Sequence, residues 1–166
     1  MTHYKTRLGA DGDADFLWEM LYQAIFVPEG EQKPSREILS QPDISKYLDD
    51  WGRHGDVAYI AKDLNNEAVG AIWMRLFDDS NNTFGYIDSS IPVLSMAVSP
   101  EVRGQGIWTL LLREMIKKAK NSGFTSLSLS VDTGNPAFRL YERYGFKKVG
   151  MNGTSYDMKL NLKDIG

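Results

Sequence analysis

The chain has 166 residues, 42% of them hydrophobic and 25% charged, with a formal net charge of −3, which suits one soluble domain around one core and excludes a broad nucleic-acid footprint. The absence of cysteine excludes disulfides, thiolate metal sites and a cysteine nucleophile, and two histidines, His3 and His54, are too few for a histidine-rich metal site. No apolar run approaches the roughly 20 residues of a membrane span and the first residues lack the apolar core of a signal peptide, so a cytoplasmic protein with no membrane partner is expected.

Residues 3–8 read as a first strand and 9–12 as a turn. Asp13 or Asp15 then caps a helix whose apolar face is Phe16, Leu17, Met20, Leu21 and Ala24. Residues 28–34 form a loop and 35–40 a single helical turn. Pro42 and Asp43 open a second helix, with Ile44, Tyr47, Leu48 and Trp51 on one face. Strands follow at 57–62 and 68–76, joined by a hairpin with Asn65 and Asn66 at its tip. The polar stretch 78–82 is a loop, and Phe84 to Ile87 is expected to add a short strand.

Leu94 to Val98 is a short apolar run closed by Pro100. Beyond a glycine-rich loop, Trp108, Leu111, Leu112, Met115, Ile116 and Ala119 recur with the rhythm of one buried helical face, while Arg113, Glu114, Lys117, Lys118 and Lys120 take the other side. Asn121 to Gly123 stop that helix, with lysines in its last turn. Ser126 to Val131 alternate as a strand. Ala137, Leu140, Tyr141 and Tyr144 face inward on a short helix, and 146–151 and 156–162 close the chain as a hairpin around Asn152 and Gly153. The pattern predicts an α/β (α+β) fold. It is a single mixed, mostly antiparallel sheet of six to seven strands with helices on both faces, in one domain over residues 1–166.

The segment Arg103, Gly104, Gln105, Gly106, Ile107 and Trp108 stands where the long helix begins. A helix start leaves backbone N–H groups without partners and carries partial positive charge. Gly104 and Gly106 let the backbone approach a ligand, and Arg103 adds a cation. Together they form a seat for a phosphate or diphosphate. Taken alone, the loop reads equally well as a glycine-rich strand-to-helix turn.

In this strand–loop–helix setting the chain resembles the GNAT superfamily of N-acetyltransferases. The resemblance rests on Arg103 and Gly106, with Trp108 in a slot where a small residue is usual. It continues through Asn135, Ala137, Leu140, Tyr141, Glu142, Gly145 and Phe146, and the motifs cover residues 94–149. It implies the GNAT fold and acetyl-CoA as cosubstrate, with no metal. Backbone groups of Met96, Ala97 and Val98 would hold the pantetheine arm, and Arg103, Gly104, Gln105, Gly106, Ile107, Trp108 and Thr109 the diphosphate. Asn135 and Phe138 are implied as further coenzyme contacts. Tyr141 is implied as the acid that protonates the departing thiolate, which suits a phenol of pKa near ~10. Asn135 is also a natural helix cap before Pro136.

The general base is not marked, since Ser95 to Ser99 contains no carboxylate. Asp88 leads the candidates, ahead of Glu19, Glu29 and His54. The expected activity is direct transfer of an acetyl group to an amine of a small molecule or peptide, bound by the N-terminal helices and the 78–90 loop. The resemblance also carries a possible homodimer. The alternative is a non-catalytic coenzyme A-binding or sensory module, suggested by Trp108 and the unmarked base. A dinucleotide oxidoreductase fits poorly: the third glycine of that fingerprint is missing and too little chain follows Asp132.

Overall fold

The computed structural model describes residues 3–165. Seven strands are present: β1 (Lys5–Leu8), β2 (Val57–Lys62), β3 (Ala68–Arg75), β4 (Val93–Val98), β5 (Ser126–Asp132), β6 (Lys147–Asn152) and β7 (Ser155–Asn161). They form one sheet in the order β1-β2-β3-β4-β5-β7-β6. Every neighbouring pair is antiparallel except β4 and β5, which run parallel. The helices are α1 (Ala14–Ala24), α2 (Pro42–Ser45), α3 (Ile107–Asn121) and α4 (Ala137–Arg143). The expected mixed, mostly antiparallel sheet with helices on both faces is the one observed.

The alternation of side chains along the strands builds two apolar layers. On one face α3 and α4 cover Ile72, Met74, Leu94, Met96, Val98, Leu127, Leu129 and Met158. On the other, α1 and the segment after α2 cover Ala58, Ile60, Ala71, Trp73 and Ala97. The stripe read from α3 is buried at Leu111, Leu112, Met115, Ile116 and Ala119, and Ile107 joins it.

Three local expectations fail, each for a physical reason. Asp13 does not cap α1 with its side chain; it accepts from the Ala10 N–H at 2.7 Å and pairs with Arg7. The second helix stops after one turn. The Arg75 guanidinium takes the Lys46 and Asp49 carbonyls at 2.9 and 2.6 Å, and Asp50 adopts a φ of 55°. Those carbonyls are therefore turned to a side chain instead of continuing the helix.

Phe84 to Ile87 is not a strand. Gly85 has a φ of 86° and crosses β5, where an added Cβ would stand 3.0 Å from the Leu129 carbonyl carbon and the Ser130 nitrogen. Tyr47 pins the turn by donating to the Phe84 carbonyl at 2.8 Å, and Thr83 donates to the Asp43 carbonyl at 2.6 Å. Gly85→Ala combines left-handed strain with a backbone collision, and is expected to cost about 2–4 kcal/mol in thermal unfolding.

Candidate active site

The one parallel pair of the sheet is also its weakest seam. β4 and β5 are in register only at Val93 and Ser128, where the Ser128 N–H donates to the Pro92 carbonyl at 3.0 Å. Beyond that point the strands part. β4 stays paired with β3 along its whole length, without a bulge. The Ser99 N–H donates to the Val69 carbonyl, so the odd-numbered residues of this strand turn their backbone groups to β3. The even-numbered ones face β5: Leu94 closes the single rung with Ser128, and beyond it Met96 and Val98 turn theirs to the opening. Of the expected backbone contacts, Met96 and Val98 therefore face the cleft, while Ala97 is directed at Ala71 on β3.

The open edge of β4 leads straight into the glycine loop. Gly104 and Gly106 have φ of 80° and 83°, and space is open within 4 Å of where either Cβ would stand. A side chain at either position would be strained and would fill that space. Gly106 caps α3, and the first bond of the helix runs from the Leu110 N–H to its carbonyl at 3.1 Å. The N–H groups of Ile107, Trp108 and Thr109 are thus left pointing out of the helix start.

Arg103 is exposed, with Nε 3.4 Å from the Val98 carbonyl. Gln105 turns its side-chain oxygen to the Tyr4 hydroxyl, toward β1. The ring of Trp108 is partly buried against the α3-side core, edge-on to Tyr141 with centroids 6.5 Å apart.

Tyr141 is 8% exposed, and its ring also meets Phe146 edge-on at 5.6 Å. Burial alone pushes the phenol well above its ordinary pKa, so it holds its proton at neutral pH. Its hydroxyl makes no side-chain hydrogen bond among the described residues, and it is not one of the sealed, unpartnered atoms. Its hydroxyl is therefore a donor with no side-chain acceptor among the described residues. Asn135 accepts the Ala137 N–H at 3.0 Å in the turn that leads into α4, whose N-cap is Pro136, and its amide nitrogen is left free. Phe138 leans on Tyr156, centroids 5.2 Å apart, beneath the Lys148 ammonium.

Asp88 lies at the closed end of the seam, five residues before β4. It is exposed and folded onto Ser90, whose hydroxyl and N–H hold its carboxyl below the usual range. The structure does not bring it to the opening. Glu19 is paired with Arg36, while Glu29 and His54 are exposed in loops.

One residue near the loop was invisible in the sequence. Lys33 lies close enough to Arg103 that the second charge helps burial lower its pKa. The 25–36 segment that carries it is locked by Tyr22, which donates to the Pro34 carbonyl at 2.6 Å and lies under both Lys33 and Arg36. Residues 33 and 103 are too far apart in sequence for any spacing rule to join them. Among the described residues no cluster able to hold a metal ion is found, and no helix is long and apolar enough to cross a membrane.

The model of the "Acetyltransferase (GNAT) family" matches residues 18–146. An acetyltransferase of Agrobacterium fabrum is 37% identical over 81 residues, covering 46% of this chain and 58% of that protein. The PaiA N-acetyltransferase of Thermoplasma acidophilum, solved in complex with coenzyme A, superposes with a TM-score of 0.64 at 20% identity, covering 97% of this chain and 99% of that one. A spermidine N-acetyltransferase chimera from Vibrio cholerae gives 0.64 at 17% identity, with 98% of both chains covered. At these identities the two solved structures show likeness of fold.

Proposed function

The chain belongs to the acetyltransferase (GNAT) family, and on that footing we propose that it transfers an acetyl group from acetyl-CoA directly to an amine. The observation that carries this reading is the unpaired edge of β4, which runs from the parting of β4 and β5 to the glycine loop at the start of α3. A linear ligand with amides along its length and a diphosphate at one end fits that path. The Met96 and Val98 backbone would add to the amides as a partner strand does. The Ile107, Trp108 and Thr109 N–H groups would hold the diphosphate, with Arg103 and Lys33 beside them. Acetyl-CoA supplies an acyl group activated as a thioester.

This chain's part is to bind, align and move protons. An unpaired β4 N–H directed into a dry cleft polarises a carbonyl more strongly than water does. Tyr141 holds a phenolic proton with no internal acceptor, at the wall from which a sulfur would leave. With no cysteine in the chain, the acetyl group passes to the amine without a cysteinyl acyl-enzyme.

The test is calorimetric binding of coenzyme A, followed by thiol release from acetyl-CoA with spermidine, amino acids, an aminoglycoside and a peptide amine. Binding with turnover of at least one amine is expected. No coenzyme A binding would remove the reading. Tight binding with no turnover on any amine would favour a coenzyme A-binding module instead.

A further inference from the structure

We propose that Asp157 is the anionic subsite that receives an ammonium group of the acceptor, a role that rests on the acetyltransferase reading above. Asp157 stands on β7 directly across from Ser130 of β5, so the two side chains share a face of the sheet. Ser130 is two residues beyond Ser128, the β5 residue in register with β4. The carboxylate is therefore level with the place where β4 and β5 part. It lies on the α1 side of the sheet, whereas Tyr141 packs in the layer under α3. Asp157 therefore stands one strand beyond the opening, on the face of the sheet opposite Tyr141.

The neighbours of Asp157 are small, and among the described residues no cation pairs with it, Lys159 lying two residues along β7 on the same face. Its cross-strand neighbours are Ser130 on one side and Gly150 on the other. The turn 83–87 crosses above β5, and only the Gly85 N–H from that turn faces the carboxylate. The Tyr47 phenol near the same turn is neutral, its pKa pushed up first of all by burial. Lys159, further along β7, is felt by Asp88.

The three ion pairs among the described residues all leave Asp157 out. Its Oδ1 is sealed and makes no hydrogen bond, and it is the one buried side-chain atom in that condition among the described residues. Burial accordingly raises the Asp157 pKa, with the Gly85 N–H opposing that rise. Among the described residues this carboxylate has no ion-pair partner, and a buried charge without one is costly. A cationic amine arriving at the opening supplies one. The residue as a whole is half-buried, so part of its surface meets solvent beside the sealed oxygen.

Asp157→Asn separates this role from a structural one. It preserves shape and an oxygen for the Gly85 N–H, and replaces the charge with a neutral amide. The measurements are titration of spermidine by calorimetry, with and without saturating coenzyme A, together with KM for both substrates and the melting temperature. Spermidine affinity is expected to fall about 30-fold or more, with its KM rising in step. Coenzyme A affinity and melting temperature are expected to stay as in the parent protein. Parent protein that binds spermidine no better than the variant overturns the proposal. So does a variant that loses coenzyme A affinity and melting temperature together, since that marks a structural role. Failure of the parent protein to bind coenzyme A counts against the acetyltransferase reading instead, and the titration without coenzyme A still reads Asp157.

Discussion

Tyr141→Phe is expected to lower kcat by about 10²- to 10⁴-fold while leaving coenzyme A affinity and the melting temperature essentially unchanged. The separation follows from what the residue touches. Its ring contacts, edge-on to Trp108 at 6.5 Å and to Phe146 at 5.6 Å, survive in phenylalanine. Its hydroxyl gives up no internal hydrogen bond, so no buried group is orphaned by its removal. What is lost is a proton held on the phenol by burial. A tyrosine that only fills space would show no change in turnover, and that result would remove Tyr141 from the mechanism. A loss confined to KM for acetyl-CoA would move it from proton transfer to binding. Single-turnover kinetics beside the steady state distinguish the two, because product release then drops out.

The parts of the fold that were legible in the sequence are those in which one face is buried by neighbours close in the chain. The α3 stripe and the alternation of Ser126 to Val131 announce themselves because each element packs against a single apolar layer. The parts that were misread depend on distant side chains. Nothing near Lys46 or Asp49 says that Arg75 will claim their carbonyls from β3. Residues 84–87 look extended until the sheet beneath Gly85 is known.

The site divides in the same way. The glycine loop and Tyr141 lie in a compact motif, so their neighbourhood was readable. Asp157 was not, because it alternates with Met158 and Leu160 as an ordinary solvated position does, and only the register with Ser130 and the turn above reveals it. The parity of β4 was equally hidden. A run of apolar residues does not say which backbone groups face a neighbour, and the Ser99 to Val69 bond decides it for Met96, Ala97 and Val98.

Asp56→Ala is expected to destabilise the protein by about 3–5 kcal/mol, because it leaves a buried guanidinium without its counter-charge. The Arg75 and Asp56 side chains are 1% and 2% exposed. They form a two-pronged pair, Nε to Oδ1 at 3.0 Å and Nη2 to Oδ2 at 2.8 Å. The carboxylate also accepts the Gly52 and Arg53 N–H groups at 3.0 and 2.9 Å. Alanine therefore strands a charge and two backbone donors at once. At about 2–4 °C per kcal/mol for a chain of this size, the melting temperature should fall by about 6–20 °C. Asp56→Asn keeps the shape and one good acceptor, and should fall less.

The consequence reaches the cleft. Arg75 holds the carbonyls of Lys46 and Asp49, and the same segment holds the 82–84 turn through Lys46 and Tyr47. That turn continues into Gly85, which lies over β5 and faces Asp157. Loosening the buried pair should therefore raise KM for the amine in the variant that remains folded, with KM for acetyl-CoA unaffected, since the β4 edge and the glycine loop are anchored to β3 and α3. Asp56→Ala protein that melts with the parent would show that the pair is not holding this segment. Equal rises in both KM values would place the damage in the cleft as a whole.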